Sequence, residues 1–277
     1  MPTASRNDDG LWQYFGLTFV ISSLTWGTMA VLGIPGGSVD PTVPPPSALG
    51  LSLLALGGFA PSIAGVALTA RYQGAAGVRA LRERARQIRL GWNAYAVIVG
   101  LPLIAVGLRA AIHAAVGGAI SRSPVLESPV VLATFAVQIG LFGPLSEEFG
   151  WRGFALERML NRWSQARASL LLGVIWAAWH LPLFFIIGTT QWRAGNVWIE
   201  FPVFALVPMA SAFVYTWLHG VTKASLWAAL AFHFTANFCT SFWATMADDG
   251  LAGRVGIAAV MVVAAILVVI SWRGRRT

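Results

Sequence analysis

The sequence predicts an all-α, polytopic transmembrane helical bundle of about eight spans, with both termini in the cytoplasm. Three observations lead there. Charged residues make up 11% of the 277 positions and apolar residues 57%, whereas a typical soluble domain carries roughly 25% charge. Eight apolar segments reach the ~20 residues that a spanning helix needs. Arginine collects in alternate connections between those segments, as the positive-inside rule requires. A chain of mean hydropathy +0.68 cannot cover a soluble fold with polar groups, so a soluble globular enzyme, a disordered chain and a disulfide scaffold are excluded. The single Cys239 leaves no intrachain disulfide. A pI near 11 does not indicate nucleic acid, because only one of the 19 basic residues is Lys and most lie between apolar segments.

The first segment, 11–34, is too long for a signal-peptide core, and no small-residue cleavage pattern follows it. It is therefore read as a retained anchor. Pro41 to Pro46 reads as an external loop. The second span, 48–70, runs into Arg71, Arg79, Arg82, Arg84, Arg86 and Arg89, which suit either an interfacial basic helix on anionic lipid or a solvated loop. The third, 91–112, carries Arg109 and His113 near its end. Both are placed at the outer interface, where Arg snorkels, with the span itself ending near 108. The fourth, 129–151, ends in Glu147, Glu148 and Arg152, and the fifth, 168–188, contains His180. The sixth, 198–218, opens beside Glu200, read as a wet outer edge, and closes at an interfacial His219. The seventh, 224–246, holds His233 and Asn237, and the eighth is 251–272. The whole chain, 1–277, is expected to form one integral domain, with a core at about 129–246 and the spans of 11–112 peripheral to it.

Sorted by side, fourteen basic residues fall on one face: the six of 71–89, Arg158, Arg162, Arg167, Lys223, Arg6, Arg273, Arg275 and Arg276. Three fall on the other, Arg122, Arg193 and Arg254. That bias assigns the first face to the cytoplasm. Most of the 13 Trp residues sit near span ends, as an aromatic belt does. Trp176 and Trp179 do not, and are assigned either to the lining of a substrate cavity or to packing.

Ionisable groups inside spans cost about 2.5–3.5 kcal/mol each at mid-depth and are functional candidates for that reason. Glu148 and Arg152 are four residues apart, share a helix face and can pair. Glu147 lies about 100° round the helix and is left for chemistry. His233 and Asn237 also share a face. Counting from the nearest basic residue of the flanking connection (Arg158, Arg167 and Lys223), Glu147, His180 and His233 lie 11, 13 and 10 residues deep, or roughly 16, 19 and 15 Å along a helix. Three separate spans thus bring Glu, His and His/Asn to one level. Pro144, after Gly143, either bends its span or opens a new short helix, and Pro182 follows His180 by two.

Glu147-Glu148-x-x-x-Arg152, Trp176-x-x-x-His180 and His233-x-x-x-Asn237, in that order on three spans, resemble the motifs of the CPBP family of intramembrane endopeptidases, which includes the CAAX proteases and bacteriocin-processing enzymes. Trp176 stands where phenylalanine is common. The resemblance implies that Glu147 is the general base that activates water, shared with His180. It implies that His233 and Asn237 stabilise the oxyanion, and that Glu148 and Arg152 orient the site. The implied function is hydrolysis of a peptide bond in a membrane-anchored protein or peptide, in the cytoplasmic membrane of a bacterium, with no cofactor and no nucleic-acid partner. A metal reading stands beside it, since Glu147, His180 and His233 form a His2Glu set of the kind that holds catalytic zinc, although no His-Glu-x-x-His helix is present. Two other classes also stand: a proton-coupled transporter using buried carboxylates as a relay, and a non-catalytic scaffold or immunity factor of the same fold.

Overall fold

The structure, a computed structural model, describes residues 10–37, 43–248 and 250–274; Arg6, Pro41, Arg275 and Arg276 lie outside them. Eight long helices follow in order: α1 Leu11–Leu32, α2 Ala48–Arg86, α3 Trp92–Ala115, α4 Pro129–Leu160, α5 Gln165–Trp179, α6 Val197–Val221, α7 Leu226–Ala244 and α8 Gly250–Arg273. Among the described residues there is no strand. Each helix coincides with one predicted span. Seven regions are long and apolar enough to cross a membrane, and α7 is not among them. The reason lies in its composition: over 19 residues it carries His233, Thr235, Asn237, Thr240 and Ser241. The bundle is thus polytopic and helical, with α7 the only one of these eight helices short of that apolarity.

Boundaries differ from expectation where the sequence hides a break or a cap. The basic stretch after span two is helical and continues α2 to Arg86, past a break at Gly74, whose φ of 64° and ψ of −163° no helix contains. Span three does not stop near 108. It runs to Ala115 and buries both Arg109 and His113, at 8% and 5% exposure. His113 Nε2 bonds the carbonyl of Ala119 at 3.0 Å and its ring packs edge-on against Trp243, so the turn after the helix supplies what water would have supplied. Glu200 is not a wet edge either. It is buried, and both its oxygens accept from Arg254, each at 2.8 Å.

Connections assigned to one side meet at one end of the bundle. Arg84 pairs with Glu157 at 2.7 Å and donates to the carbonyl of Ala224, and Gln87 donates to the carbonyl of Thr222. His219 approaches Glu157 at 3.7 Å. At the other end Ser121 donates to the carbonyl of Met246, Ser123 bonds Thr245, and Arg193 faces Asp248 at 3.8 Å. The charge sorting and the packing therefore divide the loops the same way.

The first two helices, read as peripheral, are woven into the core. Ser22 of α1 donates to the carbonyl of Gly57 on α2 and accepts from Trp179 Nε1 on α5, both at 2.8 Å, which ties three helices at one point. Tyr14 packs on Trp151 and Phe154 of α4. Where α2 crosses α4, Gly65 faces the backbone of Gly150, and a Cβ on Gly65 would press on Gly150 Cα and the Phe149 carbonyl. Without a hydrophobic drive between helices in lipid, such close backbone contact is a main source of association.

Gly65→Leu should therefore separate α2 from α4. Overpacking a filled contact costs roughly 1–3 kcal/mol, and backbone atoms cannot rotate away as side chains do. The thermal midpoint of the purified protein in detergent is expected to fall clearly, whereas Gly100→Leu on α3, with nothing within 4 Å of its Cβ position, should leave it unchanged.

Candidate functional site

The site begins with a deformed stretch of α4. Pro144 has no N–H to give and its ring crowds the preceding turn. Residues 141–145 consequently form a wide π turn, with Phe142 off helical geometry at φ −94° and ψ 17°. A second wide turn covers Trp151–Ala155. Between them a single α-helical stretch, Ser146–Gly150, carries the glutamate pair. Pro144 therefore bends the span and does not open a new helix. Ser62 of α2 donates to the carbonyl of Leu145 at 3.0 Å, satisfying a backbone group beside the distortion, as buried irregular backbone requires.

The two glutamates diverge as their helical offset dictates. Glu148 is fully buried, and its Oε1 accepts from Arg152 Nη1 at 2.8 Å and from His233 Nδ1 at 2.7 Å. One carboxylate oxygen thus joins the predicted pair on α4 to a histidine on α7. The guanidinium of Arg152 is also held between ring faces, with its carbon 4.1 Å from the Trp176 ring centre and 3.6 Å from that of Tyr215. Cation–π contacts of this kind strengthen when desolvated, and Arg152 is 2% exposed.

Glu147 faces the other way, towards α5. Its Oε2 accepts from Trp176 Nε1 at 2.6 Å. Four residues on, His180 ends α5 and starts a 3-10 turn over Leu181–Phe185, with Pro182 near its start. His180 Nδ1 lies 2.8 Å from the Trp176 carbonyl. A carbonyl only accepts, so Nδ1 carries the proton and Nε2 of the neutral ring offers a lone pair. Trp176 thereby positions both Glu147, through its indole, and His180, through its backbone. Trp179 packs edge-on to His180 with centroids 4.7 Å apart.

On α7, His233 and Asn237 reach the same region. A methyl group placed on Gly143 would lie 2.7 Å from Asn237 Nδ2 and 3.5 Å from His233 Nε2. The two nitrogens therefore converge on one spot above the wide turn of α4, and only glycine leaves that spot open. Glu147, Trp176, Trp179, His180, His233 and Asn237 all line one cavity of about 460 Å3. Glu148 and Arg152 are not on its wall; they stand behind it. Among the described residues no three His, Cys, Asp or Glu side chains are grouped as a metal site.

Three contributors were not singled out from the sequence. Tyr215 is an aromatic in an aromatic-rich span, and nothing in its spacing points to Arg152. Ser22 is one hydroxyl among many. Gly143 was read only as punctuation before Pro144, although its bare Cα is what admits Asn237. The bond between His233 and Glu148 joins residues 85 apart and carries no local signal.

Residues 129–239 match the family described as type II CAAX prenyl endopeptidase Rce1-like. Over 117 residues the chain is 33% identical to a CAAX prenyl protease 2 of Methanococcus maripaludis, a match covering 41% of this chain and 38% of that relative. The chain thus aligns with well under half of the relative's length. The family match, 129–239, spans the segment that carries all three motifs.

Removing one member of a buried ion pair costs about 3–5 kcal/mol, because the other charge is left uncompensated, while replacing both can be nearly neutral. Arg152→Met is expected to lower the stability of the detergent-purified protein by that order. Glu148→Gln combined with Arg152→Met should recover much of the loss, and thermal unfolding of the two variants beside the unmodified protein measures it.

Proposed function

We propose that the protein is an intramembrane endopeptidase that hydrolyses a peptide bond of a membrane-anchored protein or peptide, with Glu147 as general base. The observation that carries this reading is the convergence of Glu147, His180, His233 and Asn237 on a single cavity. The match to a CAAX protease-like family supports it.

Trp176 occupies Glu147 Oε2, which leaves Oε1 for a water molecule. His180 presents the lone pair of Nε2. A water between two acceptors has both its hydrogens oriented and its own lone pair directed at the substrate. In the reaction its oxygen bonds the scissile carbonyl carbon while one proton passes to Glu147. Asn237 Nδ2 and His233 Nε2 hydrogen-bond the oxyanion. The C–N bond then breaks, and the proton held by Glu147 passes to the departing amine. His233 Nδ1 donates to Glu148 Oε1, so Nε2 can donate to the oxyanion only when the ring carries both protons. Asn237 donates without any change of protonation, which suits an oxyanion role and not that of a base.

Glu148 and Arg152 act on this reading as positioning groups, and Trp176 and Trp179 as walls of the substrate cavity. The host membrane is the cytoplasmic membrane of a bacterium, with the basic connections and both termini inside. A metal-dependent reaction with Glu147, His180 and His233 as ligands is the competing mechanism, although among the described residues these side chains are not grouped as a metal site.

Purified Glu147→Gln protein should fold and insert normally but lose cleavage. Asn237→Ala should lose about 100- to 1,000-fold in turnover, the usual effect of removing one oxyanion donor. The substrate is sought by comparing C-termini near membrane anchors in cells with the wild-type and Glu147→Gln proteins. Undiminished cleavage by Glu147→Gln would falsify the assignment, and proton flux without proteolysis in proteoliposomes would favour a transporter. Loss of activity on chelation, restored by added zinc, would replace the metal-free mechanism with the zinc one.

A further inference from the structure

We propose that the site is loaded from the extracytoplasmic face, so that its substrate is an uncharged, largely apolar segment of a membrane-anchored polypeptide exposed on that face. The inference rests on the protease reading of the site and adds the side and chemistry of what enters it.

The cavity's lining reaches the connections at one end of the bundle, and Glu147 and Tyr215 line it among the helices. From there its wall follows α5 through Trp179, His180 and Leu183 to the connection beyond, where Gly188, Thr190 and Gln191 form the mouth with Gly36 and Gly37 from the connection after α1. Those two connections lie side by side, with Gly36 N–H donating to the Ile187 carbonyl at 2.9 Å. Thr190 is exposed. Towards the opposite end of the bundle Tyr14, Trp151, Phe154 and Leu156 are each 0% exposed, and neither they nor any residue of the basic connections lines the cavity.

Charge tells which end is which. The end away from the mouth carries the connections with Arg71, the four arginines of 79–86, Arg158 and Lys223. The open end carries Arg122, Arg193 and Arg254, of which Arg254 is clamped on Glu200 and Arg193 faces Asp248. Arginine and lysine are retained on the cytoplasmic side of short connections, so the mouth opens outward. This division does not depend on sequence bookkeeping alone, because the basic connections pack on one another at one end through Arg84, Glu157 and Ala224.

The lining adds the chemistry. Among the described residues it contains no Lys or Arg, and Glu147 is its single carboxylate. Trp26, Leu54, Phe142, Phe204 and Val207 supply apolar wall. A charged segment would be desolvated there without a partner, which is costly. A free C-terminal carboxylate would likewise find no cation to hold it. An extended apolar stretch beside a membrane anchor meets neither cost.

Single cysteines at the mouth and in the basic connection test the sidedness, in a Cys239→Ser background. Thr190→Cys and Ala76→Cys both fall on exposed positions. With a membrane-impermeant maleimide, Thr190→Cys should label in intact cells and Ala76→Cys only after permeabilisation. The reverse pattern, labelling of both in intact cells, or no labelling of Thr190→Cys there, overturns the proposal. Termini mapping separates this from the protease reading. Glu147-dependent cuts at the cytoplasmic ends of spans would sink outward loading and leave the protease intact. Outward labelling with no Glu147-dependent cut at all would sink the protease reading while keeping the orientation, and the substrate class would go with it.

Discussion

Everything in the site turns on one carboxylate oxygen, Oε1 of Glu148, which accepts from Arg152 and His233 in a place water does not reach. A lone charge at that depth costs several kcal/mol, so each member of the cluster is tolerable only because the others are present. The demand propagates outward. Arg152 needs its flat faces covered, and Trp176 and Tyr215 cover them. Trp176, once there, has its indole N–H directed at Glu147 and its carbonyl at His180. The catalytic candidates are thus located at second hand, by the aromatic that shields a structural arginine. The same network explains why α7 tolerates so many polar groups: its inward face meets charge, not lipid.

The deformation of α4 follows from having two adjacent glutamates serve different helices. On a regular helix Glu147 and Glu148 are separated by about 100°, enough to send one towards α5 and the other towards α7. Wide turns on either side of Ser146–Gly150 let the stretch shift without breaking the helix, a device often found at functional positions. Small residues make the shift possible. Gly150 sits against the Pro61 carbonyl and Gly65, and Gly143 lies under Asn237, so the backbone of α4 comes close to α2 on one side and α7 on the other.

The fold was legible in the sequence because scarcity made charge informative: once most charges had been sorted into connections, the few left over included Glu147, Glu148 and Arg152. The pair Glu148–Arg152 was readable for a different reason, since a four-residue spacing is a local geometric fact. What was not readable is what depends on tertiary contact. Spacing could not assign His233 to Glu148, nor Tyr215 to Arg152, because no periodicity links α6 or α7 to α4. His113 and Glu200 were misplaced at wet interfaces because their exposure is decided by neighbours, the turn at Ala119 and Arg254 from α8 respectively. Gly74 hid the length of α2, since a glycine in a helical stretch looks the same whether or not it takes a positive φ.

The contrast between the two ends of the bundle then acquires a physical reason. In the proposed reaction, charge separation in the transition state is best stabilised by fixed donors in a dry, preorganised setting, yet a peptide must still get in and water must still reach Glu147. A passage open at both ends would flood the Glu148 cluster and lower every electrostatic contribution within it. Glu148 and Arg152 lie buried behind the wall, and Glu147, His180, His233 and Asn237 line the accessible side. Adjacent glutamates are the smallest device that spans such a wall. One carboxylate stays in the sealed half to hold Arg152 and His233, and its neighbour, a third of a turn away, faces the half that admits water. Exchanging their environments would leave a base without water and an ion pair exposed to it, which is why the order Glu147 then Glu148, and not merely the presence of two acids, is what the architecture requires.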